Sequence, residues 1–204
     1  FVKGVKVQRI MSKYKFVLVV VSFLFASFCK ADGVYTYGET IDFQSGFIGS
    51  FWHPAFQLSK YDSTDGEEEH LNLLTVYLKT IDTYHKFPEE SKMLLKFSND
   101  SIAELNSFGS VTKNYSTQFI GNIWQSVYLT GRSYIIPDEV LTLLLSLPIT
   151  KVRIELDNGN RQDYEINEGL GKKIRKKMIK SFKDIRLRQK ERIKNKTGDL
   201  KDDF

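Results

Sequence analysis

Residues 137–166 read PDEVLTLLLSLPITKVRIELDNGNRQDYEI, and this stretch decides the fold class because a helix and a hairpin follow one another with their punctuation intact. Pro137 suits the first helical position, and Asp138 and Glu139 sit against the positive end of the helix dipole. Val140, Leu141, Leu144, Leu145 and Leu147 occupy more than one face, which predicts a buried helix over about 137–147 that Pro148 stops. From Lys151 to Leu156 the chain then alternates, with Val152, Ile154 and Leu156 on one face. Asp157-Asn158-Gly159-Asn160 supplies a turn and Arg161 to Ile166 a returning strand. A helix beside an antiparallel hairpin is the signature of an α+β fold, mostly antiparallel sheet of short strands and hairpins.

Downstream, Leu170, Ile174, Met178, Phe182 and Ile185 recur every three or four residues and predict a helix over about 171–193 with a single apolar stripe. The remainder of that helix is basic, with thirteen Lys or Arg between Gly171 and Lys196 against only Asp184 and Glu191. Past Arg188 the stripe fails, so residues 194–204 are expected as a frayed, flexible tail.

Upstream, Met93 to Phe97 and Ile102 to Leu105 flank the turn residues Asn99-Asp100 and read as a second hairpin. Gln118 to Leu129 adds one or two strands around Trp124, which Gly121-Asn122 and Gly131 are expected to end. The run from His70 to Tyr84 reads as a long strand with Val76 and Leu78 inward and Tyr77 and Lys79 outward, an amphipathic helix being the competing reading. Asp62 to Glu69 is an acidic, turn-rich loop. From Tyr35 to Phe56 aromatic residues alternate with Gly38, Gly46, Gly49 and Pro54, as short strands and turns require.

The first thirty-one residues follow a different logic. Lys13 and Lys15 precede an uncharged run from Phe16 to Phe28, too short to span a bilayer and suited to the apolar core of a signal peptide over 11–31. Cleavage after Ala31 is the expected outcome, with lipid attachment at Cys29 as the alternative. Residues 1–10 precede Met11 and read as a non-native or over-extended N-terminus. The expected working chain is one domain over 32–193, long enough to bury a core without disulfides. Without residues 1–31 it carries twenty-four basic and twenty-five acidic side chains, and these are segregated. Residues 32–168 hold ten basic and twenty acidic groups, whereas 169–204 hold fourteen basic and five acidic.

The order Met93-Leu94-Leu95-Lys96-Phe97, Tyr134-Ile135-Ile136-Pro137-Asp138-Glu139-Val140, Ile149-Thr150-Lys151-Val152-Arg153-Ile154 and Asp157-Asn158-Gly159 resembles a group of uncharacterised exported small α+β domains of Gram-negative gut-type bacteria, a domain of unknown function. The resemblance implies a signal peptide and a basic terminal helix. It brings no activity, cofactor or binding residue.

Chemistry-bearing motifs are sparse. His53, His70 and His85 stand fifteen or more residues apart, without metal-ligand spacing, and His70 beside Glu67, Glu68 and Glu69 reads as the end of a solvated acidic loop. A calcium loop over 62–72 fails because Tyr61 and Asn72 occupy its anchor positions. Phosphate-loop, dinucleotide and nucleophile-elbow motifs are missing from the sequence, and no cofactor is expected. Tyr35, Tyr37, Phe43, Phe47, Phe51, Trp52 and Phe56 could line a carbohydrate or peptide surface, although strand aromatics more often fill a core.

The reading that results is an exported, periplasmic or secreted domain with a non-catalytic structural or binding role. The alternative is attachment to an anionic membrane, polyanion or envelope component through Lys172, Lys173, Lys176, Lys177 and Lys180, with nucleic acid disfavoured by export and a carboxylate hydrolase further behind. Expression from Met11 in a Gram-negative host should yield a protein outside the cytoplasm with its N-terminus at or near Asp32. Intact mass decides: retention of residues 11–31 overturns the leader, and a diacylglyceryl mass on Cys29 selects lipid attachment.

Overall fold

The computed structural model describes residues 33–42, 54–63, 70–81, 83–120 and 123–202, with side chains described at all of these except 42, 118–120, 158, 193 and 195–202. The leader with Cys29, the aromatics Phe43, Phe47, Phe51 and Trp52, His53 and the acids Glu67 to Glu69 lie outside the described residues.

Among the described residues, eight strands form one antiparallel sheet, joined by two helices, as an α+β chain dominated by sheet. In chain order they are β1 (Gly33–Asp42), β2 (Ala55–Ser63), β3 (His70–Thr80), β4 (Lys92–Phe97), β5 (Ile102–Ile120), β6 (Ile123–Ile136), β7 (Ile149–Glu155) and β8 (Arg161–Glu165). Helix α1 (Asp138–Ser146) lies between β6 and β7, and α2 (Glu168–Asp202) follows β8. The strand order across the sheet is β1-β2-β3-β6-β5-β4-β7-β8.

One face of the sheet carries the core. Phe56, Leu58, Leu74, Val76, Leu78, Met93, Leu95, Phe97, Tyr134, Val152 and Ile154 are buried there. Val140, Leu141 and Leu144 of α1 and Ile174, Met178 and Ile185 of α2 close over them. The expected α2 stripe is thus the packing face, with Leu170 and Phe182 half-buried at its edges. Both expected hairpins are present, β4 with β5 and β7 with β8. On β3, Val76 and Leu78 face inward as their alternation required, and the helical alternative for this run gives way to a strand with partners on both sides.

Four boundaries differ from the sequence reading. β6 continues through Gly131 instead of ending there, because Gly131 is the cross-strand partner of Tyr77 and a Cβ would stand 2.8 Å from that ring. β5 runs on to Ile120 where its hairpin was expected to end at Leu105, since beyond Asn106 its partner becomes β6 and no core-facing alternation marks the stretch. Asp62, read as the start of a loop, lies inside β2 opposite His70. α2 begins at Glu168, with the Asn167 side-chain oxygen accepting the Leu170 N–H at 2.9 Å, and continues to Asp202 through the expected tail. Lys, Arg, Gln and Leu are strong helix formers, so the helix outlasts its apolar stripe.

The change of partner along β5 is held from below. Register slips between Phe108 and Thr112. Buried Arg132 on β6 donates there to the Gly109 carbonyl at 2.6 Å, the Ser107 hydroxyl at 2.8 Å and the Glu89 carbonyl. Next to it the Tyr134 hydroxyl meets Ser91 Oγ at 2.9 Å, and burial pushes its pKa up to about 12. On the outward face of β7 and β8, Arg153 grips Asp163 in a bidentate pair of 2.6 and 2.7 Å while Lys151 bridges Asp163 and Glu165. These bonds, Arg153 first, hold the Asp163 carboxyl well below the usual carboxylate range.

Helix α2 crosses β1 at Gly38, where a Cβ would stand 1.9 Å from Ser181 Oγ, so only glycine permits this approach. Leu144, 1 % exposed, tests the helix-side core from α1. Leu144→Ala should destabilise the protein by about 2 to 5 kcal/mol through lost transfer energy and a residual cavity. A thermal melt checks this, and an unchanged midpoint overturns the assignment of α1 to the core.

Candidate functional site

The face of the sheet away from the helices curls into a trough. Tyr61 of β2 and Phe108 of β5 meet across it with ring centroids 5.4 Å apart, although β3 and β6 lie between their strands. A flat sheet would hold those two strands about 14 Å apart, so the contact requires strong coiling. Leu73, wholly buried, and a Thr75–Ser133 hydroxyl pair at 2.8 Å form the floor.

At one end the trough opens into a cavity of about 400 Å³ bounded by Thr40, Ala55, Gln57, Tyr77, Lys79, Thr112, Asn114, Leu129 and Gly131. Strand register places these residues, since Gln57 pairs with Thr40 and Thr75, Ala55 with Tyr77, Tyr77 with Gly131, Lys79 with Leu129 and Gly131 with Thr112. Cross-strand partners point to the same face, so side chains from five strands converge. The absence of a side chain at Gly131 lets the Tyr77 ring lie flat against the sheet.

The polar groups at this end are set in place. Tyr77 donates its hydroxyl to Gln57 Oε1 at 2.8 Å, and Gln57 Nε2 donates to the Gly38 carbonyl at 3.0 Å. Burial, with a smaller contribution from Tyr37, raises the pKa of Tyr77, so its hydroxyl acts as a donor throughout the neutral range. Along the β1 rim, Tyr35 and Tyr37 stack at 5.7 Å with rings 9° from parallel, and Tyr35 also meets Tyr61 at 4.9 Å. Tyr37 is 49 % exposed, which leaves part of its ring to solvent. None of the described residues bounding the cavity is acidic, and they offer hydrogen bonds and aromatic surface.

Among the residues singled out from sequence, Tyr35 and Tyr37 belong to this trough and Phe56 to the core. Gln57, Tyr77 and Asn114 were not recognised as site residues, because no local pattern tells a trough-facing strand residue from any other outward one.

The basic helix divides its lysines. Lys172 is paired with Glu168 at 2.5 Å and Lys180 with Glu39 at 3.4 Å. Lys173 and Lys176 are exposed and Lys177 half-exposed, and none of the three meets a carboxylate among the described residues. Nearer the helix end, Arg188 donates to the Tyr37 carbonyl at 3.1 Å, Gln189 to Asp62 at 3.2 Å, and Arg192 lies 3.6 Å from Asp62. Several of its cations therefore bind the acidic body.

His70 Nδ1 lies 2.8 Å from Asp62 Oδ1, which makes it part of this anchor for α2. Burial lowers the pKa of His85. No group of three His, Cys, Asp or Glu able to hold a metal occurs among the described residues, and no helix there is long and apolar enough to cross a membrane. Comparison with family models, curated proteins and solved structures finds no match for this chain.

Proposed function

We propose that this is an exported, non-catalytic binding module whose trough takes a small polyhydroxylated ligand of the sugar class. The observation that carries the reading is the cavity of about 400 Å³, within the size range of small-molecule sites, in which fixed amide and hydroxyl groups adjoin tyrosine and leucine surface. Gln57 and Asn114 bring amide donors and acceptors, Thr40, Thr112 and Tyr77 bring hydroxyls, and the Tyr77 ring gives flat apolar surface for C–H faces. Gln57 and Tyr77 hold one another, so little side-chain entropy remains to be lost on binding. Export rests on the residue pattern of 11–31.

Titration of the full chain with a panel of neutral mono- and oligosaccharides, followed by NMR, tests this. Binding should shift the amides of β2, β3, β5 and β6 around the cavity. Asn114→Ala should weaken it about tenfold, the value of one hydrogen bond of roughly 1.4 kcal/mol. No binding by any sugar, or binding unaffected by Asn114→Ala, overturns the reading.

A second reading is attachment to an anionic surface through α2, and the outward lysines Lys173, Lys176 and Lys177 without carboxylate partners favour it. Replacing Lys172, Lys173, Lys176, Lys177 and Lys180 by Gln keeps good helix propensity and removes about 1 kcal/mol per lysine from binding to an anionic membrane. Co-sedimentation with anionic and neutral vesicles distinguishes the outcomes. Salt-sensitive binding lost in the five-Gln variant establishes this second reading, and no binding by the unaltered chain at physiological salt dismisses it.

A further inference from the structure

The connection between β3 and β4 crosses one end of the sheet on its core side, and two polar groups lie beneath it. Residues 128, 130 and 132 of β6 share a face, as alternate residues of a strand do. Tyr84 meets Tyr128 edge-on with ring centroids 4.9 Å apart, and the Glu89 carbonyl accepts from Arg132. The chain from Tyr84 to Glu89 thus spans the interval that holds Thr130, which is wholly buried. Thr130 Oγ1 and Arg132 Nε are both buried, and neither meets a hydrogen-bond partner among the described residues.

The charge there is also unmatched. Arg132 is 4 % exposed, and its two terminal nitrogens donate to the Gly109 and Glu89 carbonyls and the Ser107 hydroxyl. All three acceptors are neutral. Lys113, the cross-strand partner of Thr130, adds a second cation on the same face, its ammonium 5.8 Å from the centre of the Tyr84 ring. On the other side Val76 and Leu78 of β3, both buried, stand opposite Arg132 and Thr130 and bring only apolar side chains.

We propose that one halide-sized inorganic anion binds here, held by the Arg132 Nε–H and the Thr130 hydroxyl. An anion supplies the countercharge that a buried guanidinium needs, and it accepts from both donors. Water could accept from both as well, but it would then have two protons to give beside side chains of Val76 and Leu78 that offer no acceptor. An oxyanion would bring several oxygens to two donors and leave acceptors buried without partners. Residues two apart on one strand face stand about 7 Å apart, a spacing that a single-atom ion bridges. This face of β6 is turned away from the trough, so the site stands apart from any ligand held there. Its effect is on the fold: Arg132 holds β5 where it leaves β4, and the anion ties that junction to halide concentration.

Thermal melts of the full chain at constant ionic strength, with sodium gluconate exchanged for sodium chloride or bromide, test this. The midpoint should rise with halide concentration, as binding to the folded state alone requires. Thr130→Val keeps the shape of the side chain and removes its hydroxyl, and it should raise the halide concentration needed for the same gain at least tenfold. Crystals soaked in bromide supply a measurement without substitution: an anomalous peak should stand between Thr130 Oγ1 and Arg132 Nε. A midpoint indifferent to the anion, a Thr130→Val variant that responds as the unaltered chain does, or water at the position in bromide overturns the proposal. So does a bromide seated there at crystal concentration only, with no gain in the midpoint.

Discussion

The sheet depends on a buried guanidinium. Arg132 projects to the core side of β6 and donates from its two terminal nitrogens to two carbonyls and a hydroxyl, none of them charged, while its buried Nε meets no acceptor among the described residues. Burying such a cation costs several kcal/mol, which these three bonds offset in part. The acceptors come from Glu89 before β4 and from Ser107 and Gly109 on β5, the three places where the chain must meet for β5 to leave β4 and join β6. The same interaction thus fixes the irregularity between Phe108 and Thr112 and the relation between the two halves of the sheet. Tyr134 and Ser91 continue this polar seam through the apolar core.

The two faces follow from that junction. Coiling brings Tyr61 and Phe108 together on one side and leaves a trough; on the other side α1 and α2 cover the exposed apolar surface. Charge segregation along the chain acquires a physical meaning in the fold. Lys180, Gln189 and Arg192 of α2 reach Glu39 and Asp62 of the first two strands, so part of the basic segment binds the acidic one. Such exposed ion pairs are individually weak, and docking of α2 rests chiefly on Ile174, Met178 and Ile185.

What shapes the trough is the combination of a missing side chain and a fixed amide. Gly131 admits the Tyr77 ring, Tyr77 orients Gln57, and Gln57 reaches back to the β1 backbone at Gly38. Gly38 is also where Ser181 of α2 packs against β1, so the residues that seat the helix and those that shape the trough meet on opposite sides of one strand.

Local pattern by itself determined the helix before Pro148, the hairpins at Asn99-Asp100 and Asp157 to Asn160, the inward face of β3 and the stripe of α2, because each is written as a hydrophobic period with turn chemistry at its ends. Helix propensity was legible too, yet the expected end of α2 followed the apolar stripe and not the propensity. Only the tertiary structure decided the length of β5, the continuation of β6 through Gly131 and the trough itself. Strand residues on a face without a continuous core carry no alternation to read, and a glycine that ends a strand looks in sequence like one that lies under a tyrosine. Gln57, Tyr77 and Asn114 converge through cross-strand register, and register is set by pairing between segments distant in the chain.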